Sequence, residues 1–150
     1  MKKILSGLCK YRGQQAKQKP ILVKISPDLE AEDVQGVVEV VKELGVNGII
    51  ATNTTISRDG LQTSPASIEA IGPGGLSGLP LQDRSTQFIQ DLRSAAGKDL
   101  PIVGVGGINS VESASDKLSA GANLIQIYTG FIYQGPSLIK RIKKGLLVKA

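Results

Sequence analysis

Lys24 stands in the middle of the apolar run "ILVKIS" (21–26), and Gly104, Gly106 and Gly107 break up another, "PIVGVGGINS" (101–110). Both features carry possible chemistry. A lysine on a strand is either a Schiff-base nucleophile or a fixed positive charge for an anionic cofactor. Glycine weakens a strand, so three within four residues imply that the backbone approaches something closely. Amides of Gly106, Gly107 and the following helix start form a candidate anion cradle, helped by the helix macrodipole. Further polar residues follow two other apolar runs: Thr52, Asn53, Thr54 and Thr55 after "NGIIA", and Tyr128, Thr129 and Gly130 after "NLIQI". The segment "GGLSG" (74–78) adds more glycine. Asp28, just after the first run, reads as a helix cap.

These residues need elements to hold them. The four runs 21–26, 47–52, 101–106 and 123–128 read as buried parallel strands, being β-branched and almost continuously apolar. Each precedes a helical pattern. Val34, Val37, Val38, Val41 and Leu44 share one helix face, as do Phe88, Ile89, Leu92 and Ala96. Val111, Ala114 and Leu118 are expected inward on a third helix, and Leu138, Ile139, Ile142 and Leu146 on a fourth, which opens at Pro136. Gly45, Gly97 and Gly121 punctuate three helix-to-strand junctions. "ELGVNGIIATN" and "SAGANLIQIYTG" repeat one pattern, so the fold class is α/β with right-handed crossovers. The 30 residues 53–82 interrupt the rhythm at a strand's C-terminal end, where α/β folds bind ligands.

Composition narrows the function further. The 150 residues suffice for one domain with a core. There is no histidine and one cysteine, which excludes a histidine base, a histidine metal site and a disulfide framework. Cys9 reads as a small apolar filler on a helix face. The net charge of +5 sits largely near the ends, in Lys2, Lys3, Lys10, Arg12, Lys17, Lys19, Lys140, Arg141, Lys143 and Lys144. No aromatic residues are interleaved with them as stacking platforms, which argues against nucleic acid. No apolar run is long enough to span a membrane, and "ILSGLC" is too short for a signal-peptide core.

In this order and spacing, "VKISPDL", "GIIATNTT", "GGLSGLPL", "PIVGVGGI" and "LIQIYTGFIYQGP" resemble the C-terminal half of the dihydroorotate dehydrogenases, most nearly the membrane-associated, quinone-reducing class. The resemblance covers Ile21 to Leu146. It implies a (β/α)8 TIM barrel that binds FMN, oxidises dihydroorotate to orotate in pyrimidine biosynthesis and passes electrons to quinone. By the resemblance, Lys24, Thr52, Gly78, Gly106, Gly107, Tyr128 and Thr129 bind the cofactor, with Lys24 beside the flavin ring and Tyr128 and Thr129 at its phosphate. Asn53 and Thr54 match residues that bind the substrate. The implied parent enzyme sits on a mitochondrial inner membrane or a bacterial cytoplasmic membrane.

Four strands do not close such a barrel, which takes about 250 residues. The expected division is residues 1–20 as helix and linker of a preceding unit, and 21–150 as the last four βα units, a half barrel. The resemblance implies that the family's serine base and its membrane-docking helices belong to the N-terminal half. Ser26 and Ser77 do not match the base motif, so no catalytic residue is assigned and little turnover is expected. Two rival readings remain at this point. One is a non-catalytic half barrel that binds FMN or phosphate and associates through its open sheet edges. The other is an aldolase-like enzyme using Lys24, against which "TNTT" and "GGLSG" argue.

Overall fold

The structure is a computed structural model and describes residues 1–149. Helix α1 (Lys2–Gly13) leads to β1 (Leu22–Ile25), α2 (Ala31–Glu43) and β2 (Gly48–Ala51). A long excursion then carries α3 (Pro65–Ile71) and a 3-10 turn, Leu79–Leu81. Helix α4 (Gln82–Ala96), β3 (Ile102–Val105), α5 (Val111–Ser119), β4 (Leu124–Gln126), α6 (Thr129–Gln134) and α7 (Pro136–Lys149) complete the order. The strands form one parallel sheet in the order β1-β2-β3-β4, as the four apolar runs required.

Strand register explains which residues are buried. Val23 pairs with Ile49, and Ile49 with Ile102; Ile25 pairs with Ala51, Ala51 with Gly104, and Gly104 with Ile125. This face lies under the helices, where Ile49, Ala51, Ile102, Ile89, Leu92 and Val41 are all fully buried. Closing each such aliphatic side chain off from water contributes about 1.5–3 kcal/mol. The other face carries Lys24, Ile50, Val103 and Leu124 in one row, and Val105 and Gln126 in the next. No helix among the described residues covers it: Leu22 is 38% exposed and Leu124 65%. The runs read as buried strands are therefore buried chiefly on the helix-covered face, with Val105 a buried exception on the other.

The N-terminal ends of the strands are tied by two copies of one clamp. Asn47 donates its N–H to Ile21 O (2.8 Å) and accepts Ile21 N–H at its side-chain oxygen (2.9 Å). Asn123 does the same with Ile102, at 2.8 and 2.9 Å. An arginine from the preceding helix completes each. Arg12 donates to Asn47 Oδ1 and Gly45 O, while Arg93 donates to Asn123 Oδ1, Gly121 O, Gly97 O and Leu100 O. Gly45 and Gly121 sit at φ +62° and +110°, conformations that bend the chain from helix into strand.

Several local expectations need correction. Leu118 is only half-buried, and the fully buried position on its helix is taken by Lys117. Ile139 is 41% exposed, because Leu138 and Ile142, joined by the half-buried Leu146, carry the seam of α7 against Ile108 and Ala114. Asp28 does not cap α2: Glu30 stands at the N-cap and makes no side-chain cap bond. Cys9, half-buried, packs against the main core as a filler should.

Candidate functional site

The C-terminal ends of all four strands open onto one cavity of about 100 Å³ that is continuous with solvent. Lys24, Thr52, Asn53, Thr54, Gly78, Gly106, Gly107, Tyr128 and Thr129 all line it. Every residue singled out from the sequence for cofactor or substrate is thus brought to one place. A larger groove between α2 and α4, bordered by Val34, Arg84 and Phe88, lies on the helix side, away from the strand ends.

Backbone geometry shapes the cavity. Gly106 and Gly107 have φ +129° and +68°, and a Cβ on Gly107 would collide with the backbone of Gln82. Only glycine lets this turn pass so close to the start of α4. Gly78, at φ +86°, is pressed on Thr129, and Ser77 Oγ lies 3.0 Å from Thr129 Oγ1, so the "GGLSG" segment closes onto the start of α6. Among the described residues, the N–H groups of Gly107, Ile108, Thr129 and Gly130 have no hydrogen-bond partner. All four residues line the cavity, where such free amides suit an anion.

One part of that cradle differs from expectation. The start of α5 contributes nothing, because Ser110 and Ser113 form a reciprocal capping box. Ser113 N donates to Ser110 Oγ (3.1 Å), and Ser113 Oγ accepts from Ser110 N and Asn109 N, each at 3.0 Å. The Ser113 donor is thereby engaged, and no residue of α5 lines the cavity. The start of α6 takes its place.

Polar side chains enter from the strand tips. Lys24 makes no hydrogen bond or ion pair within the described residues and leaves its ammonium to the cavity. Thr52 is fully buried; its N–H bonds Val105 O (3.0 Å) and its hydroxyl bonds Asn53 O (2.9 Å). The Ala51–Thr52 peptide is cis. Asn53 is anchored by its N–H on Ile25 O (2.7 Å) and accepts Thr54 N–H at Oδ1 (2.9 Å). Thr54 packs against Gly75.

Asp28 holds this loop. It accepts from Thr55 Oγ1 (2.5 Å), Ile56 N (2.9 Å) and Ser26 Oγ (3.3 Å), with Arg84 Nε at 3.9 Å. Burial pushes the carboxyl up, but the bonds from Thr55, Ile56 and Ser26 and the Arg84 charge together hold it below its ordinary value. Thr55 also pairs with Leu76 through two backbone bonds, and Arg58 donates to Gly74 O (2.5 Å). The excursion is therefore closed at its base, while α3 buries no residue.

Gln126 lines the cavity too, unnoticed in the sequence although "LIQI" signals it as clearly as "LVKI" signals Lys24. Both are polar residues within apolar strands, on the face that no helix covers. Ser77, Leu81, Val105, Ile108, Ile127 and Gly130 complete the wall.

Comparison with known proteins agrees with this arrangement. The family model described as dihydroorotate dehydrogenase matches residues 1–149. The chain belongs to the dihydroorotate dehydrogenase family. Among its relatives, dihydroorotate dehydrogenase (quinone) of Christiangramia forsetii is 49% identical over 149 residues, which is 99% of this chain and 43% of the relative. The enzyme of that name from Idiomarina loihiensis is 56% identical over 123 residues, 82% of this chain and 36% of the relative. The crystal structure of ligand-free DHODH from Eimeria tenella superposes with a TM-score of 0.88 at 30% identity, covering 98% of this chain and 44% of that one. The four βα units thus match part of a dihydroorotate dehydrogenase TIM barrel, and the chain spans less than half the length of these relatives. Among the described residues no helix is long and apolar enough to cross a membrane.

Proposed function

We propose that this chain forms the flavin-holding side of a quinone-reducing dihydroorotate dehydrogenase, with FMN as cofactor and dihydroorotate as substrate. The observation that carries the reading is the single cavity into which all four strands deliver their tips, with unpartnered amides at one end and Lys24 at the other. The glycine geometry fits the cofactor, since a Cβ at Gly106 or Gly107 would drive the turn into Ser85 or Gln82 and spoil the cradle. FMN, when bound, supplies a two-electron acceptor. The amides of Gly107, Thr129 and Gly130, beside Gly106 and Tyr128, hold its phosphate. Thr52 and Gly78 would contact the cofactor, and the Lys24 ammonium would stabilise negative charge on its ring. Asn53 and Thr54 present a carboxamide and a hydroxyl to the substrate's polar groups.

Ser77 is the one serine on the cavity wall, and its hydroxyl is engaged with Thr129. No base for the C5 proton of dihydroorotate is assigned within this chain, so it is expected to show no dihydroorotate-dependent dye reduction above that of free FMN. Electron delivery to quinone is proposed for the parent enzyme from its relatives' names, and a mitochondrial inner or bacterial cytoplasmic membrane as its place from the sequence resemblance alone. Titration of the chain with FMN, followed by flavin fluorescence, tests the reading. Saturable quenching that Gly107→Asp abolishes supports it, whereas no quenching by a folded chain refutes it.

A second reading, a half barrel that associates with another half, is favoured by the uncovered sheet face bearing Leu22 and Leu124. Size-exclusion mass separates the two: a dimer supports association, and a stable monomer counts against it.

A further inference from the structure

Lys117 is fully buried, yet no carboxylate among the described residues lies within ion-pairing distance of it. Its ammonium donates to Gln82 O (2.7 Å) and to Thr86 Oγ1. Both acceptors belong to the first turns of α4, the positive end of that helix dipole. A cation placed there without a counter-ion is unfavourable, because burial strips its water and the helix end repels it. Neither the core nor the clamps at the other end of the sheet require this charge.

What it does touch is the rear wall of the cradle. Gln82, whose carbonyl Lys117 holds, is the residue on which Gly107 packs. Ser85 Oγ lies 3.1 Å from that same carbonyl and 3.2 Å from Gly106 O, which ties the glycine turn to the turn Lys117 fixes. The stem of Lys117 also lies beneath Gly104. A buried positive charge and the start of α4 thus stand directly behind the unpartnered amides at the glycine turn.

We propose that Lys117 is a positioning residue for the cradle. Its ammonium fixes the first turn of α4 against Gly106–Gly107 and biases the site toward a ligand bearing a phosphate over the same ligand without one. The inference rests on the flavin reading above and deepens it. The bound anion adds to the distant counter-charge of Asp83 and Asp116, neither of which is ion-paired with Lys117.

Charge balance around Lys117 makes the proposal measurable. Burial lowers its pKa to about 8, with Asp83 on α4 and Asp116 on its own helix pulling the other way. Strands β3 and β4 bring no titratable side chain to it, Arg93 is engaged with the carbonyls of Gly97, Leu100 and Gly121, and Lys140, Arg141, Lys143 and Lys144 of α7 are exposed. A bound phosphate favours the ammonium and raises its pKa. The preference for phosphate is therefore present at neutral pH and fades as the group loses its proton at alkaline pH.

The experiment compares FMN with riboflavin, which lacks the phosphate, as ligands of the full chain from pH 7 to 9.5. Wild type is expected to prefer FMN, with the preference falling by about tenfold over that range for a one-unit rise in the Lys117 pKa on binding. Lys117→Met is expected to show a smaller preference at pH 7 and no pH dependence. A folded Lys117→Met chain with the wild-type ratio overturns the proposal. If that variant does not fold, wild type alone decides, and a flat FMN-to-riboflavin ratio overturns it. Equal binding of both flavins by wild type refutes the role of Lys117 but leaves the flavin site standing. Binding of inorganic phosphate without flavin, weakening through the same pH range, supports the role of Lys117 and refutes the flavin reading. A folded chain that binds neither overturns both.

Discussion

The stretch from α1 to β2 and the stretch from α4 to β4 are two versions of one unit: helix, strand, helix, strand. At the N-terminal ends of the strands they are nearly the same, down to the Gly-x-Asn sequence and the arginine that clamps it. At the C-terminal ends they share almost nothing. The first unit ends in Lys24, in Asp28 with its carboxylate network, and in a 30-residue excursion. The second ends in a bare glycine turn and a helix start. One end of the sheet is constrained by the need to fold, and the other is free to take on chemistry.

The clamps themselves are unequal, and that inequality can be tested. Arg93 makes five hydrogen bonds to four acceptors, whereas Arg12 makes two. Arg93→Ala is expected to cost about 3 kcal/mol or more in urea unfolding, since it strands several backbone carbonyls at once. Asp28→Ala should cost about 2 kcal/mol through its charge-assisted bonds and loosen residues 52–56. Its contribution has a defined pH window. Because the folded-state pKa is lowered, the stabilisation is present above the ordinary value of 3.8 and is lost as pH falls below it. Asp28→Asn should accordingly flatten that part of the acid-unfolding curve. Arg12→Ala is expected to cost about 1 kcal/mol, its partners lying at the surface. A loss equal to that of Arg93→Ala would show that the two units carry equal load. Lys24→Ala should change stability by less than about 0.5 kcal/mol, the mark of a side chain kept for a ligand rather than for the fold. A large loss there would erase the contrast between the two ends of the sheet.

Much of this contrast is legible in the sequence. Apolar runs, helical periodicity and the three glycine junctions lead directly to the sheet and its helix layer. Polar residues at the strand tips lead to the cavity. The failures have identifiable physical causes. Lys117 lies inside because its stem packs under Gly104 while its head finds a carbonyl and a hydroxyl, a combination that hydrophobic periodicity does not encode. Asp28 serves a loop 27 residues away instead of the adjacent helix, because Thr55 and Ile56 offer it donors in three dimensions. Ser110 and Ser113 satisfy each other, and no residue of α5 lines the cavity, which the glycines alone did not foretell.

The order of strands in the sheet is the order in which they are synthesised. Each strand pairs with the one made just before it, and none must be inserted between two already in place. A chain emerging from the ribosome can therefore assemble as a growing edge, with β2 completing β1, β3 completing β2, and β4 arriving last. The glycine turn and the start of α6 follow β3 and β4, so the cavity they line takes shape only after the clamp at Asn47 has been set.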